Sequence, residues 1–228
     1  MTEDIHAGEV VRWAEAIAGI GRTGLAFTEN PYDRERYEEL LAVAGDMLAT
    51  VALGEGAPAE ERVTSWLQSV VNGPRGYATP KVAVGAFVGN ERGEILLIQR
   101  SDSHRWFIPT GWADIGYSAA EVVVKEVHEE TGIDVTADRL VMAFDGMRAG
   151  SPIPHYTLVF SCTPIGGELL AHPQECDDVG WFAEDALPEP LFWGDFWRER
   201  AFAAIRGERG DVWFDPPRQP VWRNGVPE

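Results

Sequence analysis

The stretch GWADIGYSAAEVVVKEVHEETGI, Gly111–Ile133, decides how this chain is read. Its middle, Ala119 to Glu130, reads as one strong helix that stops abruptly at Gly132. At about 100° per residue, Glu126, Glu129 and Glu130 fall on one face, while Val122, Val123 and Val127 can face a core. Three like charges on one face repel each other. A solvated helix face is the ordinary explanation. The other is a hard divalent cation, Mg²⁺ or Mn²⁺, which takes oxygen ligands of this kind from a rigid loop–helix–loop.

Outward from this helix, the flanking segments read as strands. KVAVGAFV and EILLIQR flank GNERG, a hairpin signal, and RLVMAFDGM, YTLVFSCT and VGWFA are further β-like runs. Strands around such a helix predict an α/β (α+β) domain over 77–187. Upstream, Val10, Trp13, Ala14, Ile17 and Ile20 recur at helical spacing. A second helix opens with Asn30 as cap and Pro31 at its first position. It carries the stripe Tyr37, Leu40, Leu41, Ala44, Met47, Leu48 and Val51. GEGAP (54–58) breaks it, a third helix covers about 59–72, and NGPRGYATPK marks the end of a helical domain, 1–76. Downstream, 188–228 reads as a C-terminal aromatic extension. Phe192, Trp193, Phe196, Trp197 and Phe202 sit at helical spacing, and an extended, proline-rich tail follows.

Composition narrows the function classes. The 228 residues carry 37 acidic against 19 basic side chains, a net charge of -18. Such a surface repels phosphate backbones and anionic lipids, so bulk nucleic acid and membranes are poor partners. Two cysteines, Cys162 and Cys176, make no disulfide framework. The polar N-terminus shows no signal pattern, and no apolar run reaches the roughly 18 residues of a membrane span. The expectation is a soluble, cytoplasmic, reduced protein.

The 111–133 pattern resembles the Nudix box, the signature of the Nudix hydrolases. Glu126, Val127, Glu129, Glu130, Gly132 and Ile133 stand at the required spacing from Gly111, and RSDSHRWFIPTGW resembles the family's usual approach to the box. RWAEAIAGIGRTGLAFTENPYDRERYEEL resembles the small helical domain of a bacterial subgroup that includes CDP-choline and ADP-ribose pyrophosphatase-like enzymes. The resemblance implies a mixed sheet between helices, Mg²⁺ (or Mn²⁺) held by Glu126, Glu129, Glu130 and the Gly111 backbone, and a homodimer built through the N-terminal helices. It also implies that Glu129 and Glu130 are catalytic.

Two positions depart from the box. Tyr117 stands where the first glutamate is usual and Lys125 where the arginine is usual. In the family those two residues commonly pair and brace the loop against the helix. Lys125 can instead reach Glu121 at i−4 or Glu129 at i+4. Thr110 also replaces a glycine that is common before the box.

Outside the box, Glu175 in HPQECDDVGWF is the candidate base, with Asp177 and Asp178 as rivals. Arg100, Arg105 and Arg148 are candidates for phosphate oxygens. Trp106, Phe107 and Trp112 are candidates for stacking on a base, or else core residues, and His155 is a weaker acid–base candidate. The leading function is hydrolysis of a small-molecule diphosphate, a nucleoside diphosphate linked to another group. The alternatives are a prenyl or other non-nucleotide diphosphate in an aromatic pocket, a nucleotide-sensing domain without catalysis and, more remotely, isomerase chemistry on the same fold.

Overall fold

The computed structural model describes residues 7–51, 59–72, 78–114, 116–151, 153–192 and 195–217. The chain divides into two compact units, Met1–Pro80 with Gly146–His155, and Lys81–Asp145 with Tyr156–Glu228.

In the first unit, α1 (Ala7–Phe27), α2 (Pro31–Val51) and α3 (Ala59–Asn72) share one apolar core. Asn30 starts α2 as its residue type demands, its Oδ1 accepting from the Tyr32 amide at 3.0 Å. Leu41, Ala44 and Leu48 of the expected stripe are buried with Ala14, Ala18, Leu25 and Trp66. Tyr37, Leu40, Met47 and Val51 are half-buried. Gly24 lets α1 approach α2, because a Cβ there would lie 2.3 Å from the Tyr37 ring. Ile20, expected on the inner stripe, is 61% exposed instead, and Phe27, Tyr32 and Val43 are exposed too. The GEGAP break and most of the expected link, residues 73–77, lie outside the described residues.

The second unit is a layered α/β body with a five-stranded and a three-stranded sheet. Its elements are β1 (Lys81–Val88), β2 (Ile95–Arg100), β3 (Trp106–Phe107), β4 (Thr110–Trp112), α4 (Ala119–Thr131), β5 (Ile133–Asp145), β6 (His155–Gly167), β7 (Cys176–Phe182), α5 (Asp195–Ile205) and β8 (Trp213–Phe214). The larger sheet runs β4-β1-β6-β5-β8 and the smaller β3-β2-β7. It is mixed: β1–β4 and β5–β6 are antiparallel, β5–β8 parallel.

The expected hairpin closes only at its turn. Asn90 N–H donates to Glu94 O at 3.0 Å, and Gly89 bridges Ile95. Beyond that bridge the strands part into different sheets, because β4 and β6 already take both edges of β1. Residues 83–88 are buried on both faces. Val84, Ala86 and Val88 join Val122, Val123 and Val127 of α4, while Phe87 joins Trp197 and Phe202 of α5. Full burial of such valines contributes about 1.5–3 kcal/mol each. The aromatic C-terminal helix is therefore core: Trp197 and Phe202 are at most 1% exposed. Trp193 and the side chain of Phe196 lie outside the described residues, as does the tail from 218.

Candidate active site

The glutamate helix is fixed at both ends by local chemistry. Ser118 caps α4, accepting from the Glu121 amide, and the Glu121 carboxylate accepts in return from the Ser118 amide at 2.7 Å. At the other end Gly132 adopts φ 72° and donates to His128 O at 2.8 Å. A side chain there would meet Glu168 O at 2.4 Å. Val122, Val123 and Val127 anchor the inner face, which sets the rotation of the three glutamates.

Those glutamates occupy three different environments. Glu130 is 3% exposed, and its Oε2 accepts from the Thr110 amide at 2.8 Å. Burial pushes its pKa up to about 8; the Thr110 hydrogen bond and the Arg100 charge oppose the shift, while the Glu126 and Glu175 charges add to it. Because the backbone of residue 110 makes this contact, threonine serves where glycine is usual. Glu126 is half-buried, and burial raises its pKa as well, with the charges of Glu129, Glu175 and Asp114 adding. Its carboxyl lies over Gly111, where a Cβ would be 2.0 Å from Cδ. Gly111 sits in β4 opposite Val84, so the strand passes hard against this carboxylate only because the residue has no side chain. Glu129 is exposed and turns to Lys125, 3.5 Å away.

Among the described residues no three acidic, histidine or cysteine side chains are drawn together as a closed ligand set. The donor chemistry nonetheless suits a divalent cation. Two carboxylates with raised pKa values lie against neighbouring residues of β4, Glu126 over Gly111 and Glu130 on the Thr110 amide, and Glu129 stands on the same helix face.

Lys125 pairs with neither expected partner as its main contact. Its ammonium donates to Asp114 Oδ2 at 2.8 Å, eleven residues back, with Glu129 second. Glu121 is engaged in the cap, so the i−4 pairing is absent. Tyr117 is 57% exposed and offers its amide to Asp114 O at 3.5 Å.

The segment after β6 brings Glu175 in. Leu170 N–H donates to Thr131 O and His172 N–H to Glu130 O, which pins the segment to the end of α4. The Glu175 charge raises the pKa of both Glu126 and Glu130, and its side chain is largely exposed. Asp177, a rival, is held by His104 at 2.5 Å, and Asp178 accepts from the Val179 amide at 2.8 Å.

Arg100 lies near Glu130, its guanidinium donating to both oxygens of Asp102 at 3.1 and 2.7 Å. Arg105 is exposed, 5.9 Å from the Phe192 ring. Arg148 and His155 fall in the 146–155 segment that groups with the helical unit. Trp106, a stacking candidate, lies in the core. It is 8% exposed, and its ring meets Phe182 edge-on at 4.9 Å, so packing already occupies it. Phe107 is buried likewise, whereas Trp112 is 43% exposed beside Lys81. Sequence reasoning missed Asp114 and the Ser118–Glu121 cap. The S-x-x-E spacing signals the cap; no spacing rule signals Asp114.

A NUDIX domain model matches residues 79–204, and a UDP-X-like, N-terminal oligomerisation domain model matches 9–61. The chain is 34% identical over 178 residues to "Putative ADP-ribose pyrophosphatase YjhB" of Bacillus subtilis (strain 168), covering 77% of this chain and 81% of that protein. It is 31% identical over 114 residues to the NAD-capped RNA hydrolase NudC of Pectobacterium carotovorum, covering 48% of this chain and only 42% of NudC. A crystal structure of UDP-X diphosphatase superposes with a TM-score of 0.55 at 30% identity, over 92% of this chain and all of that one. An ADP-ribose pyrophosphatase from Streptococcus suis superposes at 0.50 with 35% identity, over 60% of this chain and all of its own. With the domain model over more than half of its length and the glutamates of α4 in place, the chain belongs to the Nudix hydrolase family.

Proposed function

We propose that this Nudix hydrolase cleaves the diphosphate bond of a nucleoside diphosphate linked to a second group, an ADP-ribose-like or CDP-choline-like molecule. The observation that carries the chemistry is the one-face set Glu126, Glu129 and Glu130, with Gly111 leaving room for a carboxylate. These residues and the Gly111 backbone carbonyl would hold Mg²⁺ or Mn²⁺, which, when bound, neutralises diphosphate charge and acidifies water. Glu175 is the candidate to take the water proton as the oxygen attacks phosphorus. The bond to the bridging oxygen then breaks, giving two phosphate-bearing products. Arg100 and Arg105 are the candidates to hold phosphate oxygens.

The likeness to ADP-ribose pyrophosphatases and to UDP-X diphosphatase supports a nucleotide-linked substrate. Two of the tail aromatics behind the prenyl alternative, Trp197 and Phe202, are spent in the core. The test is product release from ADP-ribose, CDP-choline, UDP-sugars and a prenyl diphosphate, with Mg²⁺ and with excess chelator. A nucleotide-linked member should be cleaved fastest, and only with metal. Prenyl diphosphate as the best substrate would overturn the assignment.

The same proposal includes a homodimer made through the N-terminal helices. Its support is the oligomerisation-domain match over 9–61 and the exposed Ile20, Phe27 and Val43 on helices of that unit. Light scattering should give a dimer at micromolar concentration, and Ile20→Glu with Val43→Glu should shift it to monomer. A monomeric unmodified chain would count directly against it. No described helix is long and apolar enough to cross a membrane.

A further inference from the structure

In the box pattern, positions 117 and 125 form the acid–base brace between loop and helix, and this chain has tyrosine and lysine there. A lysine with no carboxylate partner would leave the segment after β4 untied. The structure supplies a partner from a different position. Asp114 Oδ2 accepts from the Lys125 ammonium at 2.8 Å. The neighbouring Ala113 amide donates to Val82 O at 2.9 Å, so Asp114 is one residue from backbone fixed on β1. Lys125 is one turn from Glu129 and adjacent to Glu126 in sequence. The Asp114 contact is the shorter of its two ion pairs, which leaves Glu129 the weaker hold at 3.5 Å.

We infer that Asp114 is a positioning residue of the active site: through Lys125 it ties the segment after β4 to α4 and replaces the acid that position 117 lacks. It touches no reacting atom. It sets where Gly111 stands against Glu126, and it takes the closer share of the ammonium, leaving Glu129 the longer pair. Tyr117 is thereby released from the bracing role and stands exposed at the rim. The inference rests on the divalent-cation site proposed above.

Both members of the pair are substantially solvent-exposed, so their contribution to global stability is small. The effect belongs in the geometry of the site, which separates positioning from a merely structural role. The experiment measures Mn²⁺ binding by calorimetry for the full chain, Asp114→Asn, Tyr117→Glu and the two together. Melting temperature and amide exchange at Ala113 are read on the metal-free proteins. Asp114→Asn should weaken Mn²⁺ binding about tenfold, the lower end of what supporting residues of a metal site give. Its melting temperature should stay nearly unchanged and its Ala113 amide should exchange faster. Adding Tyr117→Glu, a second carboxylate for Lys125, should restore binding more in the Asp114→Asn background than it adds to the unmodified chain.

A charge that acts only through space gives additive changes, whereas a shared ion pair does not. Non-additivity of about threefold or more is the expected result; additivity within that limit overturns the inference. If the unmodified chain binds no Mn²⁺, the cation site fails. The brace is then judged by exchange alone, and an unchanged Ala113 rate in Asp114→Asn rejects it.

Discussion

Glu129→Gln and Glu130→Gln should each lower kcat at least a hundredfold, the scale of losing one electrostatic stabiliser of a charged transition state. The two substitutions reach that loss by different routes. Glu129 is exposed and, among the described residues, held by Lys125 alone, so the amide removes a charge and little else. Glu130 is buried with its oxygen on the Thr110 amide. An amide there can keep that contact and avoids the cost of ionising a buried carboxyl whose pKa is pushed up to about 8, so Glu130→Gln should fold at least as well as the unmodified chain without cation. Steady-state rates over a Mg²⁺ titration, with melting curves in chelator, check both. Near-normal kcat in either variant, or activity in excess chelator, would remove these glutamates from the mechanism.

Gly111→Ala should cost nearly as much activity from a single added methyl. Its Cβ would stand 2.0 Å from Cδ of Glu126 and 2.2 Å from Oε2. No such contact survives, and the side that yields is the end of a flexible side chain rather than the paired strand. The fold should hold, with a melting temperature within a few degrees, while the Glu126 carboxylate leaves its place. A displacement of about 1 Å in a catalytic group can lower the rate on the order of a hundredfold. The expected signature is a lower kcat with a raised Mg²⁺ requirement in a well-folded protein. A variant with unchanged kcat and Mg²⁺ dependence would mean that Glu126 does its work elsewhere.

Much of the site is local and so was legible in sequence. The helix from Ala119 follows from its valine face and ends where Gly132 permits a left-handed cap. The common face of Glu126, Glu129 and Glu130 follows from helical geometry alone. The stripe on α2 and the cap at Asn30 follow in the same way. In each case the interacting groups lie within four residues of one another, where chain geometry fixes the distance.

Only the tertiary structure decided the rest, because its partners are far apart in sequence and no period relates them. Glu130 is buried because Thr110, twenty residues earlier, lies on the strand packed over it. Lys125 chose Asp114 over Glu121 because the cap had already engaged Glu121 and the end of β4 brought another carboxylate closer. Trp106 and Trp197 are core rather than pocket because Phe182 and Phe87 stand against them from other elements. The turn after β1 looked like a hairpin by composition. It opened into two sheets because β4 and β6 hold both edges of β1, a competition among strands that no single segment can express.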